Sequence, residues 1–165
     1  NKKDCWISSQ YSKAVVGIID GAFRPVEGNL TELTNFYLKS ISEAVDKLAL
    51  EEYENTETFS AGSSDGAVFV NGNAYVEHIE LDGEGYTIYG VKVGDKIKDA
   101  QKKFKKAELV VNKGNNDMYE GAYVYDIVCS PDSLVIDSNG FDGQLIVYVD
   151  GTNKVSMMIL QAYTE

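Results

Sequence analysis

Val68–Leu81 (VFVNGNAYVEHIEL) and Val147–Leu160 (VYVDGTNKVSMMIL) align without a gap, and this repeat narrows the fold more than any other feature of the chain. Val68, Val70, Gly72, Val76 and Leu81 match Val147, Val149, Gly151, Val155 and Leu160, while Phe69 stands opposite Tyr148 and Asn71 opposite Asp150. Each copy reads as an apolar strand, a turn built on Asn/Asp-Gly and a second apolar strand, the pattern of a β-hairpin. With Asn71–Tyr75 as the first loop, Val70 faces Val76 across the ladder, and the same register sets Val149 against Val155. The repeat divides the chain into two related halves, 1–84 and 85–165, joined at Asp82–Gly85 and forming together one compact unit.

Upstream of each hairpin the periodicity is helical. Residues 7–20 carry Ile7, Tyr11, Val15 and Ile18 at helical spacing, although Val15-Val16 and Ile18-Ile19 suit a strand equally well. A helix from Asn29 is expected next, with Glu32 placed for a capping box and Leu30, Leu33, Tyr37, Ile41, Val45 and Leu48 forming one stripe. Its other face holds Glu32, Glu43, Asp46, Glu51 and Glu52. Strands follow at Thr56–Ala61 and in the first hairpin. A further helix is capped by Asp95, buries Ile97, Ala100 and Phe104, and exposes Lys96, Lys98, Lys102, Lys103, Lys105 and Lys106. Tyr123–Cys129, Leu134–Asp137, Gln144–Val149 and Lys154–Tyr163 complete a meander. The expected fold class is therefore α+β: two related helix-then-antiparallel-meander halves, with the helices packed on one face of the sheet.

The run through Val76–Leu81, Tyr86, Gly90-Val91-Lys92-Val93-Gly94-Asp95 and the Ile97/Ala100/Phe104 helix resembles small exported domains of Gram-positive lipoproteins. The β-lactamase inhibitor protein and small lipoproteins of outer-membrane assembly are similar in arrangement. The resemblance covers Val68–Tyr163 and implies a tandem helix-then-strands repeat that acts by binding other proteins. It carries over no contact residue, and β-lactamase inhibition is not expected. It also implies an extracellular or cell-surface location, with lipid anchoring through an upstream segment. A chain opening on Asn1 rather than Met reads as a processed or truncated product, with any export signal upstream.

The formal net charge of −11 argues against nucleic acid as a partner, because a phosphate backbone is repelled over most of such a surface. No apolar run approaches the length needed to span a bilayer, Ala14–Ile19 being far too short. Cys5 and Cys129 make no metal pair; they suit either a disulfide in an oxidising compartment or two buried thiols.

No catalytic constellation stands out. His78 is the only histidine, which excludes multi-histidine metal sites and obliges any Ser/His/Asp or Cys/His mechanism to use it. On a strand flanked by acidic residues it reads as a structural or surface histidine. Cys129 has no activating neighbour in the sequence. Asp137–Gly143 superficially suggests a calcium loop, yet Phe141 occupies its fifth position and Tyr148 stands where a bidentate Glu belongs, so a hairpin connection is preferred. No glycine run has phosphate-loop spacing, and no metal or cofactor is expected.

Eleven tyrosines are many for this length. Tyr123, Tyr125, Tyr148 and Tyr163 fall on expected strands, where alternate rings either pave an exposed sheet face or cover the core. The expected function is a non-enzymatic, exported or cell-surface protein-binding module. Its candidate contact residues are Phe69, Asn71, Tyr123, Tyr125 and Tyr148, with Asp150 and Asn153 at the second hairpin tip. The alternatives are carbohydrate or peptidoglycan binding by the same face, or a structural accessory domain. The partner is thus an unknown protein or a cell-wall glycan.

Overall fold

A computed structural model describes residues 16–19, 22–25, 30–53, 58–113, 119–128 and 141–163 of the protein. In chain order the elements are β1 (Val16–Ile19), β2 (Ala22–Pro25), β3 (Thr31–Glu32), a 3-10 turn (Leu33–Asn35), α1 (Ile41–Leu48), β4 (Glu51–Glu52), β5 (Phe59–Gly62), β6 (Val68–Gly72), β7 (Val76–Leu81), β8 (Tyr86–Thr87), α2 (Ile97–Lys106), β9 (Val110–Val111), β10 (Tyr123–Val128), β11 (Phe141–Val149) and β12 (Val155–Ala162).

The expected α+β fold of two helix-then-meander halves is not what the chain adopts. The described structure is mostly β, dominated by one eight-stranded antiparallel sheet of order β4-β5-β6-β7-β12-β11-β10-β9, and it has only two short α-helices. Both repeated segments are hairpins, β6–β7 and β11–β12, and they meet through their second strands. Met158 pairs with Leu81, Leu160 with Ile79 and Gln161 with His78. Backbone hydrogen bonds therefore run through a seam where the sequence suggests a division.

The first helix is much shorter than its apolar stripe implies. Thr31 and Glu32 form a strand parallel to β8, the chain then makes a 3-10 turn, and Leu38 adopts φ +55. A left-handed residue cannot continue a right-handed helix, so α1 starts only at Ile41. Glu32 does not close a capping box. One of its carboxylate oxygens accepts from Thr34 N and Oγ1 (3.2 and 2.6 Å) and from Tyr89 N (2.9 Å). The other accepts from Thr87 Oγ1 (3.0 Å) and Gly90 N (2.7 Å), clipping β3 to the turn after β8. Of the helix suggested at 7–20, Ile7, Tyr11 and Val15 lie outside the described residues, and Ile18 belongs to strand β1.

Each helix hangs from the tip of one hairpin by three backbone bonds. Leu38 N, Ile41 N and Val76 N bond Val76 O, Ala74 O and Lys39 O. Gly94 N, Ile97 N and Val155 N bond Val155 O, Asn153 O and Asp95 O in the same pattern. The buried residues Ile41, Ala44 and Leu48 of α1 and Ile97, Ala100 and Phe104 of α2 enter one core with Val68, Val70, Ile79, Leu81, Leu145, Val147, Met158 and Leu160. The second helix follows the sequence reading, except that Lys96 rather than Asp95 occupies the N-cap.

The hairpin registers differ. Val149 faces Val155 as expected, but Val70 faces Ile79 and Gly72 faces Val76. The difference coincides with different hydrogen bonding at one aligned position. Asp150, an acceptor only, bonds Thr152 N (2.8 Å) and Lys154 N (3.0 Å) and organises the second turn. Asn71 can donate, and its amide turns onto the sheet towards Thr58 and Ser60, so the first ladder continues to Gly72. There a Cβ would run into the carbonyl oxygen of Tyr75, which requires glycine. The same faces stay buried in both hairpins.

Candidate functional site

Strand alternation gives the sheet a second face, turned away from the core residues named above. One line of paired residues crosses it. Ser60 pairs with Asn71, Asn71 with His78, His78 with Gln161, Gln161 with Gln144 and Gln144 with Asp126. Six neighbouring strands, β5, β6, β7, β12, β11 and β10, thus contribute one polar side chain each to the line. Burying such groups is costly unless they are hydrogen-bonded, and these are. Asn71 Nδ2 donates to Thr58 Oγ1 (3.1 Å) and Ser60 Oγ (3.0 Å). Gln144 Nε2 and Gln161 Nε2 both donate to the Tyr119 hydroxyl (3.1 and 3.0 Å). Asp126 Oδ1 accepts from Asn112 Nδ2 and the Tyr163 hydroxyl (2.8 Å each).

Beside the polar line, towards the β4 end, lies an aromatic cluster. Tyr53 stacks on Phe69 with ring centroids 6.0 Å apart and planes 19° apart, and Phe69 meets His78 edge-on at 6.2 Å. His78 Nε2 lies 2.8 Å from Glu80 Oε1, two residues along the same strand face. Ser60, Gln144 and Asp126 are buried, whereas Asn71, His78 and Gln161 are half-buried and Tyr53 is 50% exposed. The accessible part of this face is therefore its β4–β7 end, with rings, an imidazole and a carboxylate.

Of the two readings left open by the sequence, the candidate tyrosines do not share an exposed face. Tyr125 is buried in the core, its ring 5.0 Å from that of Phe104, and burial raises its hydroxyl pKa despite the bond from Gln101. Tyr123, two residues earlier on the same strand side, is 38% exposed. Tyr148 alternates to the opposite side from Val147 and is half-buried. Phe69 and Asn71 stand together on the second face. Asp150 and Asn153 sit at the exposed tip of the β11–β12 hairpin, Asn153 at φ +61 and Asp150 with its carboxyl pKa lowered chiefly by the Lys154 amide, then by Thr152. Cys5, Cys129 and Leu134–Asp137 lie outside the described residues.

Sequence reasoning missed Tyr53, Glu80, Gln144, Gln161, Asp126 and Tyr119 as parts of one face. Strands β5, β6 and β10 do show the signal, a single polar residue (Ser60, Asn71, Asp126) within an apolar run, while β7, β11 and β12 carry further polar residues that blur it. Only the register across the strands turns those interruptions into a line. Among the described residues no group of three or more His, Cys, Asp or Glu is placed to hold a metal ion. Among the same residues no helix is long and apolar enough to cross a membrane.

Neither a protein-family model nor a curated protein sequence matches this chain. Among solved structures, one similar chain is an extracellular protein containing a SCP domain from Bacillus anthracis str. Ames, at 13% sequence identity and a TM-score of 0.48. The alignment covers 88% of this chain and 50% of that one, so the present chain spans about half the length of the neighbour.

Proposed function

We propose that the protein is a non-enzymatic, exported or cell-surface binding module that recognises another protein through the β4–β7 end of the second sheet face. The observation that carries this is the Tyr53–Phe69–His78–Glu80 cluster, a half-exposed stack of rings with a polar rim. Rigid amphipathic rings supply contact area at low entropic cost and are enriched where proteins meet. A glycan is the second reading, motivated by the amide and carboxylate side chains beside the rings. It is weakened because both amide hydrogens of Asn71 are already engaged by Thr58 and Ser60. Export rests on the sequence resemblance described above.

The test is retention of cell-envelope proteins by the immobilised chain, compared with the double variant Tyr53→Ala, Phe69→Ser. A partner held by the parent chain and lost from a variant with an unchanged circular dichroism spectrum supports the reading. Equal retention by both chains rejects this face. A glycan-array hit accompanied by no captured protein moves the assignment to carbohydrate.

A further inference from the structure

The Tyr53–Phe69 stack depends on a residue with no side chain. A Cβ at Gly62 would meet the Tyr53 hydroxyl at 2.5 Å and its ring carbons at 3.1 Å, so glycine lets the Tyr53 ring lie over β5 and reach Phe69. The register then orders the neighbours. Glu51 pairs with Gly62, Gly62 with Phe69 and Phe69 with Glu80. With the Tyr53 ring seated over Gly62, the line across four strands reads carboxylate, ring, ring, carboxylate, and side chains directly opposite across a ladder are within reach of each other.

Neither carboxylate has a cation of the chain beside it, apart from the imidazole. Glu80 Oε1 lies 2.8 Å from His78 Nε2, while Glu80 Oε2 and the exposed Glu51 carboxylate have no partner among the described residues. None of the eight strands of the sheet contains a lysine or an arginine. The negative charge of this line is therefore left for a group from outside, and the faces of the two rings attract a cation through their quadrupoles.

We infer, resting on the binding face proposed above, that this line receives an arginine side chain of the partner protein, its guanidinium stacked on the half-exposed Tyr53 ring and bonded to Glu80. The geometry chooses among cations. A guanidinium is planar and weakly hydrated and presents its donors as a fork, so one group can stack on a ring and bond a carboxylate together. A lysine ammonium is a strongly hydrated point charge without a face to stack. A single metal ion cannot bridge the line, because Glu51 and Glu80 stand three strand spacings apart, roughly 14 Å. A second copy of the chain fits poorly as the donor: its one arginine is Arg24, and two copies of this face meeting about a two-fold axis would set acids against acids.

The probe is N-acetylarginine amide, titrated at constant ionic strength onto the isotope-labelled full chain and followed by NMR. N-acetylcitrulline amide, of the same shape without the charge, and N-acetyllysine amide are the comparators. Saturable shifts at Tyr53, Phe69 and Glu80 are expected with arginine, several-fold weaker binding with lysine and none with citrulline. Glu80→Gln should weaken the arginine probe about fivefold. Tyr53→Leu, which keeps an apolar side chain without a ring, should weaken it about two- to fivefold, and Tyr53→Phe should leave it unchanged. Absence of saturable shifts, citrulline or lysine binding as tightly as arginine, or full affinity in the Glu80→Gln chain overturns the inference. The two readings fail separately. A chain that ignores the arginine probe yet holds an envelope protein through Tyr53 and Phe69 loses only this inference, whereas equal retention by the parent and the Tyr53→Ala, Phe69→Ser variant rejects the face and this inference with it.

Discussion

Replacing Glu32 by alanine tests a carboxylate that accepts from five donors. The change removes five acceptor contacts at once and unfastens β3 from the Tyr89–Gly90 turn. A hydrogen bond to a charged acceptor contributes about 1.5–3 kcal/mol when buried, but Glu32 is only half-buried, and the half-buried Thr34 hydroxyl can turn to water at little cost, whereas the buried Thr87 hydroxyl cannot. Four donors remain, the amides of Thr34, Tyr89 and Gly90 and the Thr87 hydroxyl. At about 1 kcal/mol each they sum to about 4 kcal/mol, a fall in Tm of about 8–16 °C for a chain of this size. Tyr89 and Gly90 both lie at positive φ (+51 and +70), so the released turn should also open locally. Glu32→Gln presents an NH2 group to two of the donors and should lose about half as much. Urea unfolding measures the loss, and amide hydrogen exchange at Tyr89 and Gly90 reports the opening. A Glu32→Ala chain within about 0.5 kcal/mol of the parent, with unchanged exchange at both amides, refutes the reasoning.

Gly143→Ala should destabilise the protein by about 1–3 kcal/mol in the same assay, because the new methyl group meets the Tyr37 hydroxyl and the carbonyl oxygen of Gln161. Adding Tyr37→Ala should not restore stability, since the backbone contact stays and the bond from Tyr37 to Asp142 O is lost. At high pH the Tyr89 phenol, pushed from 10.0 up to about 12 by burial and then by Asp142 and Glu32, keeps its proton longer folded than unfolded. That contribution is complete below pH 10 and should be lost progressively as pH rises towards about 12. Tyr89→Phe should flatten the fall over that window, seen by chemical denaturation at stepped pH; an identical slope in both chains contradicts it.

Both repeated hairpins were readable from residue types, because an Asn/Asp-Gly turn between alternating apolar runs leaves few other structures. The second helix was readable for the same local reason, with Gly94 marking its lead-in. The corresponding lead-in to α1 is hidden. Leu38 stands where Gly94 stands in the second pattern and takes the left-handed conformation without the residue type that announces it. Leu30, Leu33 and Tyr37 then completed a stripe that extended the expected helix through β3 and the 3-10 turn. The fold class was misjudged for a second, non-local reason. The pairing of β7 with β12 leaves no local trace, so two sets of strands read as two halves rather than as one sheet. The candidate face was legible only in Phe69 and Asn71. Tyr125 is not placed by the sequence because a tyrosine on an alternating strand looks the same whether its ring meets solvent or Phe104.

The seam between β7 and β12 also sets a timetable. As the chain is synthesised, β6 and β7 can zip together early, but the outer edge of β7 has no neighbour until β12 emerges. For that interval a nascent chain offers unsatisfied amides and carbonyls beside Ile79 and Leu81, the kind of edge that recruits a strand from another molecule. Loss of β12 would leave that edge permanently open, so aggregation of chains lacking that strand should originate there rather than at the helices.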